Sequence, residues 1–161
     1  MANIHHGDTI EIPASSSPGL RFLQSLLPLL DSLNTIDIAK LDEFICPTAR
    51  FTVNGVLIGK LAEIKTMFLM RAQNLAYFGH EVDVTWDIQA SEGSKNHRTI
   101  MYESTSVSIF KADSEKEEIR VREFNIIELE EQEEGLWKAV ELRTFMDPSA
   151  VSEKARTVSG I

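Results

Sequence analysis

The chain has 161 residues, of which 43% are hydrophobic and 25% charged, so its length and composition suit one domain with a sizeable core. Its formal net charge of −9 argues against binding to nucleic-acid phosphates or to anionic membranes, because both need clustered Lys and Arg. The single cysteine, Cys46, cannot form an internal disulfide, and we therefore expect a reducing compartment, by elimination the cytoplasm.

The first seventeen residues, Met1–Ser17, are predicted to form a partly flexible leader. They contain His5, His6 and the serine run Ser15–Ser17, and they lack the basic region and apolar stretch of a signal peptide. No apolar run in the chain approaches the roughly 20 residues that cross a bilayer. We expect no membrane segment.

Three helices are predicted in the first half of the chain. Pro18 opens the first, in which leucines recur at three- and four-residue steps, and Pro28 is expected to kink or divide it. Asp37 is predicted to cap a short second helix that Pro47 ends. The third helix is predicted over residues 60–76.

Alternating apolar and polar side chains predict strands in the remainder. A strand and hairpin turn at Gly55, a long strand follows Gly79, and three more strands cover about 98–111, 119–130 and 136–145. The connections Ser91–Asn96, Asp113–Glu118 and Glu131–Gly135 are polar, as antiparallel hairpins require. Helices followed by antiparallel strands are typical of an α+β fold. A short helical tail is expected after Pro148.

Three short sequence segments resemble those of a known family: Ala49–Gly55 (ARFTVNG), Phe78–Val82 (FGHEV), and Trp137-Lys138 followed by Phe145–Asp147. With the order of elements, they resemble the nuclear transport factor 2-like (NTF2-like) superfamily over about residues 20–147. Within it, the chain looks most similar to the SnoaL-like polyketide cyclases, the ketosteroid isomerase-like group and their fungal relatives.

The resemblance implies a cone-shaped α+β barrel, in which a strongly curved antiparallel sheet wraps on three N-terminal helices. The domain would cover residues 18–148, between the leader and a tail over residues 149–161. The concave face would line an apolar pocket, and the convex face would form a homodimer. Sheet twist makes a curved shell of this kind natural.

The resemblance also implies a function in secondary metabolism. We expect a cofactor-independent isomerase or lyase that isomerises, cyclises or dehydrates an apolar, oxygenated polyketide or terpenoid intermediate by acid–base catalysis. The alternative is a non-catalytic ligand-binding or dimerisation module, because a fold alone does not settle activity. This alternative gains support from Asn54 and Thr144, which are uncharged where catalytic members of the family carry an acidic residue.

His80 is the main candidate for acid–base catalysis. Alternation places it on the same face as Val82, Val84 and Trp86, so its side chain should point inward. An imidazole exchanges protons near pH 7. The alternative is a core histidine hydrogen-bonded to the backbone.

Tyr102 is the second catalytic candidate, and it shares a strand face with Ser104 and Ser106. If that face is concave, these hydroxyls line the cavity and can polarise a carbonyl. If it is convex, they face solvent instead. The sequence leaves both orientations open.

Glu123 is the third catalytic candidate and shares its face with Asn125, a candidate for substrate binding. Both faces of this strand are partly apolar, which is typical of a central strand. Glu123 would either supply a carboxylate to the pocket or form an ion pair with Arg143 or Arg122 near a dimer interface.

The other candidates for substrate binding are Thr52, Asn54, Thr144, Trp86, and Tyr77 at the pocket mouth. For Asn54 the alternative is an ordinary turn residue before Gly55. No group of His, Asp and Glu has metal-ligand spacing on one strand or helix, and no metal or cofactor is expected.

Overall fold

A computed structural model describes residues 2–89 and 96–159 of the chain. The predicted connection Ser91–Asn96 therefore lies outside the described residues, apart from Asn96. The elements in chain order are β1 (Ala2–His6), a 3-10 turn (Thr9–Glu11), α1 (Pro18–Asp31), α2 (Thr35–Phe44), β2 (Ile45–Val53), β3 (Val56–Gly59), α3 (Leu61–Asn74), β4 (Leu75–Gln89), β5 (His97–Phe110), β6 (Ile119–Glu133), β7 (Leu136–Met146) and α4 (Ser149–Ser159).

The strands form one seven-stranded sheet in the order β1-β4-β5-β6-β7-β2-β3. All neighbours are antiparallel except β2 and β7, which are parallel. The sheet curls over the helices without closing, and the predicted cone-shaped α+β architecture is confirmed. No helix in the described ranges combines the length and apolarity that crossing a membrane would require.

The core lies between the inner face of the sheet and the helices. Leu23 and Leu26 of α1, Leu41 of α2, Ile100 of β5 and Ile127 of β6 are almost completely buried. Burying a side chain of this size contributes about 1.5–3 kcal/mol. These contacts fix α1 against the middle of the sheet, which matters because α1 ends at the site described below.

The helix boundaries differ from the sequence prediction at two points. Pro28 does not divide α1, which runs as one helix from Pro18 to Asp31, because the buried leucines before and after the proline hold it against the core. The N-cap of α2 is Asn34, whose Oδ1 accepts a hydrogen bond from the backbone N–H of Ile36 at 2.9 Å. Asp37, the predicted cap, lies in the first turn instead.

The predicted leader contributes an edge strand. Residues Ala2–His6 form β1 and pair antiparallel with the far end of β4, with Ala2 opposite Ile88. This pairing continues the sheet beyond the boundary that was predicted at residue 18.

A β-bulge in β4 reverses the alternation of its side chains. Val82 is opposite Ser104 and Val84 is opposite Glu103, so Asp83 is an extra residue on β4. Phe78, His80 and Val82 point inward before the bulge, whereas Thr85 and Asp87 are the completely buried residues after it. The prediction that Trp86 shares the face of His80 is wrong for this reason. Trp86 packs on the outer face near Phe124, with ring centroids 6.5 Å apart.

Candidate functional site

His80 lies on the inner face of β4, where its imidazole is held between two carboxylates. Its Nδ1 lies 2.5 Å from Oδ1 of Asp31, the last residue of α1. Its Nε2 lies 3.1 Å from Oε2 of Glu123 on β6. The second oxygen of Asp31 accepts a hydrogen bond from the backbone N–H of His80 at 2.9 Å. Both ring nitrogens and the main chain of His80 are therefore fixed.

This arrangement favours the protonated imidazole. Burial alone would lower the pKa of His80, but the hydrogen bonds to Asp31 and Glu123 outweigh it and raise the pKa to about 9. Burial acts in the opposite direction on Glu123, yet hydrogen bonds from His80, Ser106 and Asn125 hold the pKa of Glu123 below its usual value. At neutral pH the site therefore pairs an imidazolium, which can donate a proton, with a carboxylate, which can accept one.

The carboxylate–imidazole group faces a cavity of about 220 Å³ between the sheet, α3 and the β2–β3 hairpin. Most of the cavity wall is apolar, as in sites that exclude water from a reacting group. The apolar side chains that line it include Leu30, Phe51, Ile58, Ile64, Met67, Phe68, Phe78, Ile127, Leu142 and Met146. In these surroundings a few polar groups control what binds and how it is oriented.

The hydroxyl-bearing face of β5 is the concave one. Tyr102 is 3% exposed and lines the cavity, whereas Ser104 and Ser106 are buried beside it. Burial and the nearby carboxylates raise the pKa of Tyr102 well above its usual value, so its hydroxyl stays protonated. It can donate a hydrogen bond to a ligand but does not act as a base.

A chain of hydrogen bonds fixes the polar wall across three strands. Thr144 Oγ1 donates to Asn125 Oδ1 at 2.7 Å, and Asn125 Nδ2 donates to Ser104 Oγ at 3.3 Å. Thr144, Asn125 and Thr52 line the cavity. Glu123 contacts His80 instead of Arg122 or Arg143, whose partners are Asp83, Glu103, Glu128 and Glu141. The pairing of Glu123 with an arginine, which the sequence left open, does not occur in the described residues.

Five predicted substrate-binding residues do not line the cavity. Ser104 and Ser106 are buried on the inner face but are not part of the cavity wall, and Asn54, Tyr77 and Trp86 lie away from it. Asn54 adopts a positive φ in the β2–β3 turn, and its amide forms two hydrogen bonds with the backbone of Met146 at 2.8 and 3.0 Å. Tyr77 points to the opposite face of β4 from His80 and is 51% exposed. Trp86 lies on the outer face because of the bulge. Asn54 therefore stabilises a turn, and neither aromatic ring reaches the cavity.

Two charged residues of the site were missed from the sequence. Asp31 follows Leu27 by four residues, and Arg71 follows Ile64 by seven, so each continues the buried stripe of its helix. Arg71 lines the cavity from α3. A charged residue on the buried face of a predicted helix could have identified both, because charged residues are rarely buried without a partner and so indicate a site.

The acidic and imidazole groups of the site do not converge as metal ligands would. Asp31 and Glu123 lie on opposite sides of the imidazole, and each is bonded to one of its nitrogens. Within residues 2–89 and 96–159, no three His, Cys, Asp or Glu side chains are placed so that they could hold one ion.

Comparisons with known proteins identify the fold. No protein-family model and no curated protein sequence matches the chain. Among solved structures, an NTF2-like superfamily protein from Salmonella enterica serovar Typhimurium is similar, with a TM-score of 0.62 and 8% identity over 77% of this chain and 84% of that one. A hexachlorocyclohexane dehydrochlorinase (LinA, type 2) gives a TM-score of 0.59 at 14% identity, over 78% of this chain and 80% of that one.

A third similar structure is an NTF2-like protein of unknown function from Exiguobacterium, with a TM-score of 0.58 at 15% identity over 78% of this chain and 98% of that one. At these identities the similarity shows a shared fold. The chain has the NTF2-like cone fold.

Proposed function

We propose that this chain is an enzyme that transfers protons on a small, apolar, oxygen-bearing molecule without a cofactor. The observation that carries the proposal is the position of His80, held between Asp31 and Glu123 in the wall of an otherwise apolar cavity. Perturbed acid–base groups in such a cavity are typical of active sites. One structure with this fold is named a dehydrochlorinase, and elimination of HCl likewise requires removal of a proton.

Removal of a proton next to a carbonyl begins the isomerisation of an unsaturated ketone, an aldol-type cyclisation and the dehydration of a β-hydroxy ketone. The Glu123 carboxylate, which is ionised at neutral pH, accepts the proton from carbon. The electron pair of the broken C–H bond moves into an enolate, and the Tyr102 hydroxyl donates a hydrogen bond to its oxygen. The protonated Glu123 then passes a proton to a second carbon or to a leaving hydroxyl, and His80, whose Nε2 faces Glu123, replaces that proton and takes one back when the carboxylate is restored. Asp31 keeps the imidazole charged and oriented.

The cavity volume limits the substrate. An apolar cavity of about 150 Å³ accommodates benzene, and the cavity here is about 220 Å³. A single substituted ring or a short branched chain fits this space, whereas a four-ring molecule does not. Within the expected class, this favours monocyclic terpenoid or small polyketide intermediates of secondary metabolism.

The outer face of the sheet supports a homodimer as part of the proposal. Trp86 and Phe124 contact one another on this face, and Phe145, opposite Phe124 on β7, is 41% exposed. A contiguous aromatic patch on a sheet face is typical of a subunit interface. The half-buried, unpaired Cys46 fits the cytoplasm or another reducing compartment.

Deuterium exchange tests the proposal without knowledge of the natural substrate. Monocyclic ketones and β-hydroxy ketones are incubated with the protein in D2O, and deuterium incorporation next to the carbonyl is followed by mass spectrometry. We expect the wild type to accelerate the exchange of at least one of these probes. Glu123→Gln should abolish the acceleration, because an amide is not a base at neutral pH.

Glu103→Gln is the matched control. Glu103 lies on the neighbouring strand β5, but on the outer face, where its partner is Arg122 at 3.3 Å. This variant should exchange the probes as the wild type does. A wild-type protein that binds the probes with no acceleration of exchange would instead support the non-catalytic binding module.

A further inference from the structure

Arg71 connects helix α3 to the residue that orients His80. We propose that Arg71 is a positioning residue, which holds Asp31 against His80 by donating hydrogen bonds to the main-chain carbonyls on both sides of Asp31. The effect of Arg71 on catalysis rests on the proposed function, whereas its effect on the Asp31–His80 contact can be tested without any substrate.

The hydrogen bonds of Arg71 bracket Asp31 in the chain. Nη2 of Arg71 donates to the carbonyl of Leu30 and to the carbonyl of Ser32, the latter at 3.3 Å. These carbonyls lie at the C-terminal end of α1, where the last helical carbonyls have no partner within the helix. A cation at this end also interacts favourably with the helix dipole. Arg71 therefore joins the end of α1 to α3 and restrains the main chain that carries the Asp31 carboxylate.

Aromatic rings fix the guanidinium group. The Phe68 and Phe78 rings each lie 4.1 Å from the central carbon of the guanidinium. Phe78 also contacts the imidazole of His80 edge-on, with ring centroids 5.3 Å apart. Arg71 is thus coupled to His80 through Phe78 and through Asp31, and a rotation of its side chain would disturb both contacts.

The burial of Arg71 is not explained by an ion pair. Among residues 2–89 and 96–159, no carboxylate lies within ion-pair distance of Arg71, and its Nε is buried without a hydrogen-bond partner. Burial lowers the pKa of Arg71 to about 10, and the nearby Asp31 charge offsets part of this effect. The group remains a cation at neutral pH. Without a paired carboxylate, the partly buried cation is held by the two carbonyls of α1 and by the faces of Phe68 and Phe78.

Two possible roles of Arg71 have opposite effects on His80. The groups that face His80 are Asp31 from α1, Glu123 from β6, the Tyr102 hydroxyl from β5, and Arg71 from α3. If Arg71 acted only as a nearby positive charge, its removal would raise the pKa of His80. If it positions Asp31, its removal weakens the Asp31–His80 pair and lowers that pKa. The direction of the change separates the two roles.

The experiment is an NMR titration of the ¹⁵N-labelled imidazole of His80 in the wild type and in Arg71→Met. Methionine keeps much of the apolar stem between the two rings but removes the donors. We expect the pKa of His80 to fall by about one pH unit or more, the usual effect of losing an opposite charge at close range. A pKa that rises or does not change would overturn the proposal.

Arg71→Lys provides a second variant in which the positive charge and the stem are retained. A lysine is a point donor and cannot reproduce the fixed planar geometry of arginine. We expect the pKa of His80 to fall here also, although by less. This variant keeps the test decisive if Arg71→Met does not fold, because an unchanged His80 pKa in Arg71→Lys would then refute the geometric role.

Lys111→Met is the matched control. Lys111 Nζ donates to the carbonyl of Ala72 at 2.7 Å, so it is also a cation at the C-terminal end of a helix, but it is exposed and does not line the cavity. Its removal should leave the His80 pKa unchanged. If exchange activity is found, Arg71→Met should lower kcat and leave KM similar. An increase of KM alone would assign Arg71 to substrate binding and contradict the proposal.

The two proposals fail separately. Loss of the expected pKa change refutes the role of Arg71 and leaves deuterium exchange by the wild type as an independent result. Absence of exchange in the wild type, together with the expected pKa change, would remove the proposed function and leave Arg71 as a structural determinant of the Asp31–His80 pair.

Discussion

The carboxylate of Asp31 and the imidazole of His80 meet at 2.5 Å although 49 residues separate them in the sequence. The contact depends on the length of α1, which ends at Asp31, and on the inward orientation of His80 before the bulge of β4. The backbone N–H of His80 fixes one oxygen of Asp31, and the other oxygen holds Nδ1, so Nε2 of the ring is kept facing Glu123. This pair therefore sets both the charge and the direction of the proposed proton donor.

The pH dependence of activity should have a plateau at neutral pH and fall at alkaline pH. Glu123 has a pKa below its usual value and stays ionised, whereas His80 loses its proton near a pKa of about 9. Activity that needs both forms is thus lost as the pH rises through this value. The measurement is kcat/KM for an exchanging ketone over neutral and alkaline pH. A rate that increases through the same range would show that the neutral imidazole is the base.

Replacement of Glu123 should remove catalysis without unfolding the protein. Glu123→Gln keeps the shape of the side chain but removes the base, and we expect kcat/KM to fall by about 10²–10⁴, the usual contribution of a general base. Circular dichroism and urea unfolding check that the variant is folded. Equal rates in Glu123→Gln and the outer-face control Glu103→Gln would exclude Glu123 as the base.

The stability of the protein should depend on pH through His80. Its pKa in the folded state is about 9, above the ordinary value of 6.5, so its contribution is complete below about pH 6.5 and is lost as the pH rises through 9. The free energy of unfolding should decrease by roughly 3 kcal/mol over this range. His80→Gln should show a weaker dependence in urea titrations. An equal decrease in both proteins would assign the effect to other groups.

Away from the cavity, breaking the buried ion pair of Asp87 and Arg98 should cause a large loss of folding stability. Asp87 is 0% exposed, and its oxygens accept two hydrogen bonds from Arg98 at 2.8 and 2.9 Å and one from the backbone N–H of Gly19 at 3.0 Å. Arg98→Met leaves a buried carboxylate without its counter-ion, which costs about 3–5 kcal/mol.

Urea unfolding of Arg98→Met should be compared with that of Arg122→Met. Arg122 is paired with Asp83 and Glu103 at the exposed outer face, where an ion pair contributes about 0–1 kcal/mol. A similar, small loss of stability in both variants would show that the Asp87–Arg98 pair is not important for the fold.

Much of the fold follows from side-chain periodicity. Alternation placed His80 inward and placed Tyr102 with Ser104 and Ser106, and only the choice between inner and outer face needed the structure. A bulge adds one residue without a composition signal, so the orientation of Trp86 after Asp83 could not be predicted in this way. The same argument applies to edge strand β1, whose polar sequence gave no indication that it pairs with β4.

The charged members of the site were harder to predict. Asp31 and Arg71 lie on the buried stripes of α1 and α3, but a stripe is recognised by its apolar residues. Their burial is stabilised by partners on other elements, His80 for Asp31 and two carbonyls of α1 for Arg71. Long-range partners of this kind are not encoded in a local pattern.

The most direct measurement is the protonation state of His80 in the wild-type protein, read from the ¹⁵N chemical shifts of its imidazole at neutral pH. We expect both ring nitrogens to carry a proton and the pKa to be about 9. A neutral imidazole at pH 7, with a pKa at or below the ordinary 6.5, would show that the two carboxylates do not hold a charged ring and would contradict the proposed site.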